Sequence, residues 1–156
     1  MRQAFYAIPL LVFAVLFPAH GQNKPRPDFS GQWELVKEKS DFGKMSPPVN
    51  MTLVSEKKDG YLHSVQTTQT PQGDQVSESD WYPDDKRHTV SKPVAGYSIT
   101  HWSGDTLVSE QRSDDGQYRQ TVKLSMQANG KEAVESIDAH TPTGDSHMRL
   151  VWRRHQ

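Results

Sequence analysis

From Phe29 onward the chain falls into ten short runs in which hydrophobic and polar side chains alternate, each run bounded by turn-forming residues. A period of two puts successive side chains on opposite faces of an extended backbone, so each run predicts a half-buried β-strand. The runs span residues 29–38, 49–57, 61–70, 75–82, 87–92, 96–103, 106–113, 117–128, 131–140 and 146–154. Between them stand Asp59-Gly60, Gln72-Gly73-Asp74, Pro83-Asp84-Asp85, Ser103-Gly104-Asp105, Asp114-Asp115-Gly116, Asn129-Gly130 and Thr143-Gly144-Asp145. Gly, Asn and Asp accept the positive φ that tight hairpins require. The links are too short for a crossover helix, so successive strands must pair antiparallel. Lys37 to Phe42 has room for one helical turn at most, and no other stretch carries a helical period. A meander this long protects its edges best by closing on itself. The expected fold is therefore all-β, an antiparallel up-and-down meander closing into a barrel of about 8–10 strands.

Alternation also assigns faces. Phe29, Gly31, Trp33 and Leu35 share one face of the first run, and Met51 and Leu53 share one face of the second. Tyr97 with Ile99, then Tyr118, Val122, Leu124 and Met126, then Met148, Leu150 and Trp152 continue the same pattern. These are the expected inward residues. Thr67, His101, Gln111 and Gln120 fall on the same faces, and a dry sandwich core seldom accepts that many polar groups. A barrel that holds water or a ligand does accept them.

The first residues follow a different rule. Arg2 precedes an apolar run from Ala4 to Phe17, which is followed by Pro18 and the small residues Ala19 and Gly21. That order predicts a secretory signal cleaved after Gly21. The run is shorter than the roughly twenty residues that cross a bilayer, so a lasting membrane anchor is the disfavoured alternative. The expected organisation is a signal peptide at 1–21, a flexible Pro-rich leader at 22–28 and a barrel domain at 29–156, in a periplasmic or secreted protein. The chain has no Cys. This rules out lipid attachment through cysteine, thiol catalysis and thiolate metal sites. Net charge is −1 with Lys and Arg dispersed, so the basic stripe that nucleic acid requires is missing.

Asp28-Phe29-Ser30-Gly31-Gln32-Trp33-Glu34-Leu35, followed by Lys39-Ser40-Asp41-Phe42-Gly43, carries a Gly-x-Trp element on its first strand. It resembles the opening of the lipocalin and fatty-acid-binding-protein group, and in particular exported lipocalin-like bacterial proteins of uncharacterised function. The resemblance implies a calycin-type barrel that binds a small, largely apolar molecule. It also implies a late-strand arginine lying across the Trp to close the barrel base, a role it carries to Arg154, with Arg153 next in line. Gly31, Trp33 and Arg154 are thus the expected structural closure. Leu53, Tyr97, Ile99, His101, Leu107, Tyr118 and Leu124 are the expected ligand contacts at mid-barrel.

The remaining chemistry is sparse. The sequence contains no HxH, HExxH or Gly-x-Ser-x-Gly element and no phosphate-cradling glycine loop. His140 and His147 flank the last hairpin and are the one pair placed to meet across it. Acid pairs such as Asp84-Asp85 and Asp114-Asp115 sit in turns, where Asp supports the turn itself. One member of each of Trp81-Tyr82 and His101-Trp102 must face outward. No catalytic residue, metal or cofactor is expected. The leading function is an exported, non-enzymatic barrel for a small hydrophobic or amphipathic ligand. The alternatives are an envelope protein-interaction module or inhibitor, and less so a barrel enzyme.

Overall fold

The computed structural model describes residues 25–155, and the expected signal and its cleavage point lie outside them. Ten strands follow in order: β1 (Gly31–Leu35), β2 (Asn50–Lys58), β3 (Tyr61–Thr70), β4 (Gly73–Trp81), β5 (Arg87–Val90), β6 (Gly96–Ser103), β7 (Thr106–Ser113), β8 (Arg119–Met126), β9 (Glu132–Thr141) and β10 (Gly144–Arg154). A single 3-10 turn, Lys37–Lys39, is the only helical element among the described residues. All neighbours pair antiparallel in one sheet of order β4-β3-β2-β1-β10-β9-β8-β7-β6-β5. The all-β meander read from the sequence is the fold.

The sheet rolls on itself. Phe29, just before β1, stacks on Trp102 of β6 with ring centres 6.1 Å apart, although four strands separate β1 from β6 in the sheet. Trp81 of β4 packs against the same core as Met126 of β8. Only a strongly curled sheet brings these together. The result is a half-barrel whose two edges, β4 and β5, have no ladder between them. Three stacked rings span that seam: Tyr61 lies 4.7 Å from Tyr82, and Tyr82 lies 4.2 Å from His88 of β5.

The first and last strands meet at the middle of the sheet. Trp33 stands opposite Arg154 and Leu35 opposite Trp152 on one side of β1, and Trp33 stands opposite Leu53 on the other. After the 3-10 turn the chain rejoins β10 through a bridge between Asp41 and Arg149. Residues 25–28, the end of the expected leader, lie against the barrel: the Arg26 guanidinium sits 5.2 Å from the centre of the Trp102 ring.

Opposed residues in an antiparallel ladder share a face, so the register fixes which side each residue takes. Phe29, Trp33, Leu35, Met51, Leu107, Leu124, Ala133, Leu150 and Trp152 form the buried inner core. A small second cluster, Val36, Val134 and Val151, lies on the opposite face. Most inward assignments from alternation agree with this register. Those on β6 do not: Trp102 pairs with inward Leu107, so Ser98, Thr100 and Trp102 face in, and Tyr97, Ile99 and His101 face out. Thr67, opposed to exposed Val76, also faces out. A one-residue slip inverts a whole strand, and here the largest apolar side chain, Trp102, wins the interior. The cost of turning hydroxyls inward is met by pairing them, since Thr100 Oγ1 donates to Ser109 Oγ at 2.9 Å. Tyr97 is covered on the outside by Arg87, 4.3 Å over its ring.

Candidate functional site

The concave face of the half-barrel has a filled base and an open wall. At the base Trp33 is 2% exposed, and its indole N–H donates to the Phe29 carbonyl at 3.0 Å. The Arg154 guanidinium lies over the Trp33 ring, 4.3 Å from its centre. Its two terminal nitrogens donate to the backbone carbonyls of Ser30 and Asp28. Gly31 makes room for this arrangement: its φ is +124°, and a Cβ there would stand 3.0 Å from Arg154 Nη1. Gly31, Trp33 and Arg154 thus form one unit that seals the base. Asp28 beside them is held below the usual carboxylate range, first by the Ser30 hydroxyl and N–H that donate to it, then by Arg154 and Lys57.

Above the base the wall changes character. Leu53, Leu62 and Ile137 pack against the core yet stay only partly buried, and so do the inward Gln66, Val122 and Met148. Inner-face side chains that keep accessible surface border open space rather than packed protein. Polar groups are interleaved. Ser55 and Ser64 hydroxyls bond to each other at 2.9 Å. The Tyr118 hydroxyl donates to Gln120 Oε1, and burial raises the Tyr118 pKa. Gln111 Nε2 donates to the carbonyls of Lys92 and Val94, tying the β5–β6 link to the rim.

Glu135 is the one acidic side chain deep in this wall. It lies between Leu124 of β8 and Leu150 of β10, and burial pushes its pKa up against an opposing hydrogen bond from Trp152. That bond runs from Trp152 Nε1 to Glu135 Oε2 at 2.9 Å. Oε1 has no partner among the described residues, and no unpartnered side-chain oxygen among them is sealed from solvent. Oε1 therefore opens onto the concave space.

The expected contact residues divide into three groups. Leu53 and Tyr118 stand on the concave wall. Leu107 and Leu124, 2% and 7% exposed, are part of the packed base. Tyr97, Ile99 and His101 lie on the outer face, so the structure does not bring them to the concave side. Glu135 and the Ser98, Thr100 and Ser109 hydroxyls went unread, whereas Trp152 was expected on the inner face without its bond to Glu135. The signal for Glu135 was present, since it shares parity with Ala133 and Ile137, and a charge at an apolar position marks a site.

The outer face carries a separate feature. A trough of about 690 Å³ runs across β7 to β10 and is flanked by residues 41–44; it is lined by charged groups including Glu110, Arg112, Arg119, Asp138 and His140. His147 Nδ1 lies 2.6 Å from Asp138, and His140 pairs with Asp145. The two histidines that flank the last hairpin each take their own aspartate. Among the described residues no group of three or more His, Asp or Glu is arranged to hold a metal ion. Likewise, no described helix is long and apolar enough to cross a membrane.

No family model matches the chain, and no curated protein matches it in sequence. Solved structures share its architecture. The fluorescent protein UnaG superposes with a TM-score of 0.57 at 18% identity, covering 81% of this chain and 97% of that one. Fatty-acid-binding protein 1 of Echinococcus granulosus gives 0.56 at 12% identity over 82% and 98%. Zebrafish ileal bile acid-binding protein, complexed with cholic acid, gives 0.52 at 13% identity over 81% and 98%. At these identities the likeness is one of fold, a calycin-like β-barrel.

Proposed function

We propose that this chain is a non-enzymatic β-barrel that holds a small hydrophobic or amphipathic molecule against its concave wall, between the sealed base and the polar rim. The carrying observation is the change from a fully buried base to an inner wall whose apolar residues remain partly accessible. Such a surface loses apolar area to a ligand at about 25 cal/mol per Å². The fold neighbours support the reading, since one is a fatty-acid-binding protein and another was crystallised with cholic acid. A hydrophobic fluorescent probe, titrated into the purified protein and displaced by lipid extracts, tests it. Saturable binding that Leu53→Asp and Ile137→Asp weaken is expected, and linear, unsaturable partitioning would reject it.

The same proposal places the protein in the periplasm or outside the cell, as an exported lipocalin-like protein that begins at Gln22 after signal cleavage. N-terminal mass analysis of protein recovered from its native host decides this, and an intact Met1 on membrane-bound material would reject it. A protein-interaction module is the second reading. It draws on Val54 and Val76, 48% and 62% exposed on the outer face of β2 and β4. Loss of a bound protein on Val76→Asp, with probe binding intact, would favour it.

A further inference from the structure

We infer that the concave wall selects a ligand with an apolar body and a hydrogen-bond-donating head, a hydroxyl or an ammonium, seated against Glu135 Oε1, and that it discriminates against carboxylate-headed lipids. This deepens the ligand-binding proposal above and rests on it.

Three observations carry the inference. First, Glu135 offers an acceptor and leaves it free. Oε2 is taken by Trp152 Nε1 at 2.9 Å, whereas Oε1 has no partner among the described residues and is open to the concave space. An acceptor that only solvent reaches, set beside apolar side chains, makes a stronger bond to a ligand donor that displaces that solvent. Second, the residues around it are apolar. Leu124 and Leu150 stand opposite on the two neighbouring strands, and Ile137 is two residues along β9. A methylene chain therefore finds its own surface beside the acceptor, and water competes poorly there.

Third, among the described residues the cations on or beside the inner face are engaged elsewhere or stand at its ends, and the Arg26 guanidinium lies over the Trp102 ring. Arg154 is consumed at the base by Trp33 and the carbonyls of Ser30 and Asp28. His88 at the far edge is bound to Asp84. Lys57, on the Leu62 row, is exposed at the strand end. The other inward polar groups named above, such as Ser55, Gln66, Thr100, Tyr118 and Gln120, are neutral hydroxyls and amides. A carboxylate entering this wall would lose its hydration, gain no counter-charge and approach the Glu135 carboxyl. An ammonium would form a charge-assisted bond there, and a hydroxyl a neutral one.

The test compares three probes of one chain length, decylamine, 1-decanol and decanoate, titrated calorimetrically into the purified protein and into Glu135→Gln at pH 7.5. In the native protein both donors should bind at least about tenfold more tightly than decanoate, a difference of about 1.4 kcal/mol. In Glu135→Gln the amine should lose at least about tenfold while decanol changes by less than about threefold, and the handicap of decanoate should shrink. Decanoate binding as tightly as the two donors would overturn the inference and leave the ligand-binding proposal standing. So would a probe order unchanged in Glu135→Gln. Failure of all three probes to bind would overturn both. The native order decides without any variant, so a poorly folding Glu135→Gln protein does not rescue the idea.

Discussion

Changing Trp33 and Arg154 singly and together puts a number on the seal at the barrel base. Trp33→Ala removes a ring that is 2% exposed and an indole N–H bonded to Phe29 at 3.0 Å. Emptying a buried Trp site costs about 3–5 kcal/mol. Arg154→Ala removes the contact over that ring, worth about 1 kcal/mol. It also removes hydrogen bonds to the carbonyls of Ser30 and Asp28, which water can partly replace at a half-buried site, leaving roughly another 1–2 kcal/mol. For a domain of this size, roughly 3–5 °C of melting temperature goes with each kcal/mol. Trp33→Ala should therefore lower the midpoint by roughly 10–20 °C. The double variant should fall short of the sum by about 1 kcal/mol, because the contact between the two is lost only once. Urea unfolding followed by far-ultraviolet circular dichroism measures all four proteins without relying on the tryptophan signal. Additivity within about 0.3 kcal/mol would show that Arg154 acts through the carbonyls alone and that its place over Trp33 contributes nothing.

Three other outcomes follow from the same structure. Burial raises the Glu135 pKa, so its favourable contribution is complete below its unfolded value and is lost as pH rises toward the folded one. Glu135→Gln should be the more stable protein at pH 8, with the gap closing at pH 4 in parallel thermal melts. Asp28 behaves oppositely: hydrogen bonds from Ser30 lower its pKa, so its contribution is present above the unfolded value and disappears as pH falls through the folded one. Asp28→Asn should flatten the acid limb of the stability profile between pH 5 and 2. Gly96→Ala would put a Cβ 2.0 Å from the Arg112 carbonyl oxygen and 2.8 Å from the Ser113 Cα, both backbone atoms. It should cost at least about 2 kcal/mol by chemical denaturation, whereas Gly104→Ala, with open space around it, should cost no more than about 1 kcal/mol.

The ladder was legible because its punctuation is chemical. Every link but β5–β6, which turns through Ser91-Lys92-Pro93-Val94-Ala95, carries Gly, Asn or Asp where the chain must reverse, and the strands between them agree with the observed ones to within a few residues at most ends. The base was legible as well, since Gly31, Trp33 and Arg154 each stand on an unambiguous parity and the antiparallel partnering of first and last strands puts them together. β6 was not. In Tyr97-Ser98-Ile99-Thr100-His101-Trp102 the alternation favours Tyr and Ile, and the deciding contact, Trp102 against Phe29, joins residues that only the curl of the sheet brings near. Glu135 was missed for a related reason: its charge reads as solvated until the depth of β9 between β8 and β10 is known.

The placement of β1 has a consequence for how the chain could be rewired. β1 hydrogen-bonds to β10 on one side and β2 on the other, and the His155 N–H donates to the Gln32 carbonyl at 2.8 Å. The ends of the domain are thus neighbours, while the link at residues 82–86 crosses the seam where no ladder exists. A circular permutant with a short linker from 155 to 25 and new termini in that link would keep every strand pairing. It would also turn the most distant pairing in the chain into a local hairpin. Folding rate falls as contacting residues lie farther apart along the chain, so the permutant should refold faster than the parent while retaining its sheet. Stopped-flow refolding would measure the difference, and the polypeptide's natural order would then stand as one of two routes to the same half-barrel, and the slower one.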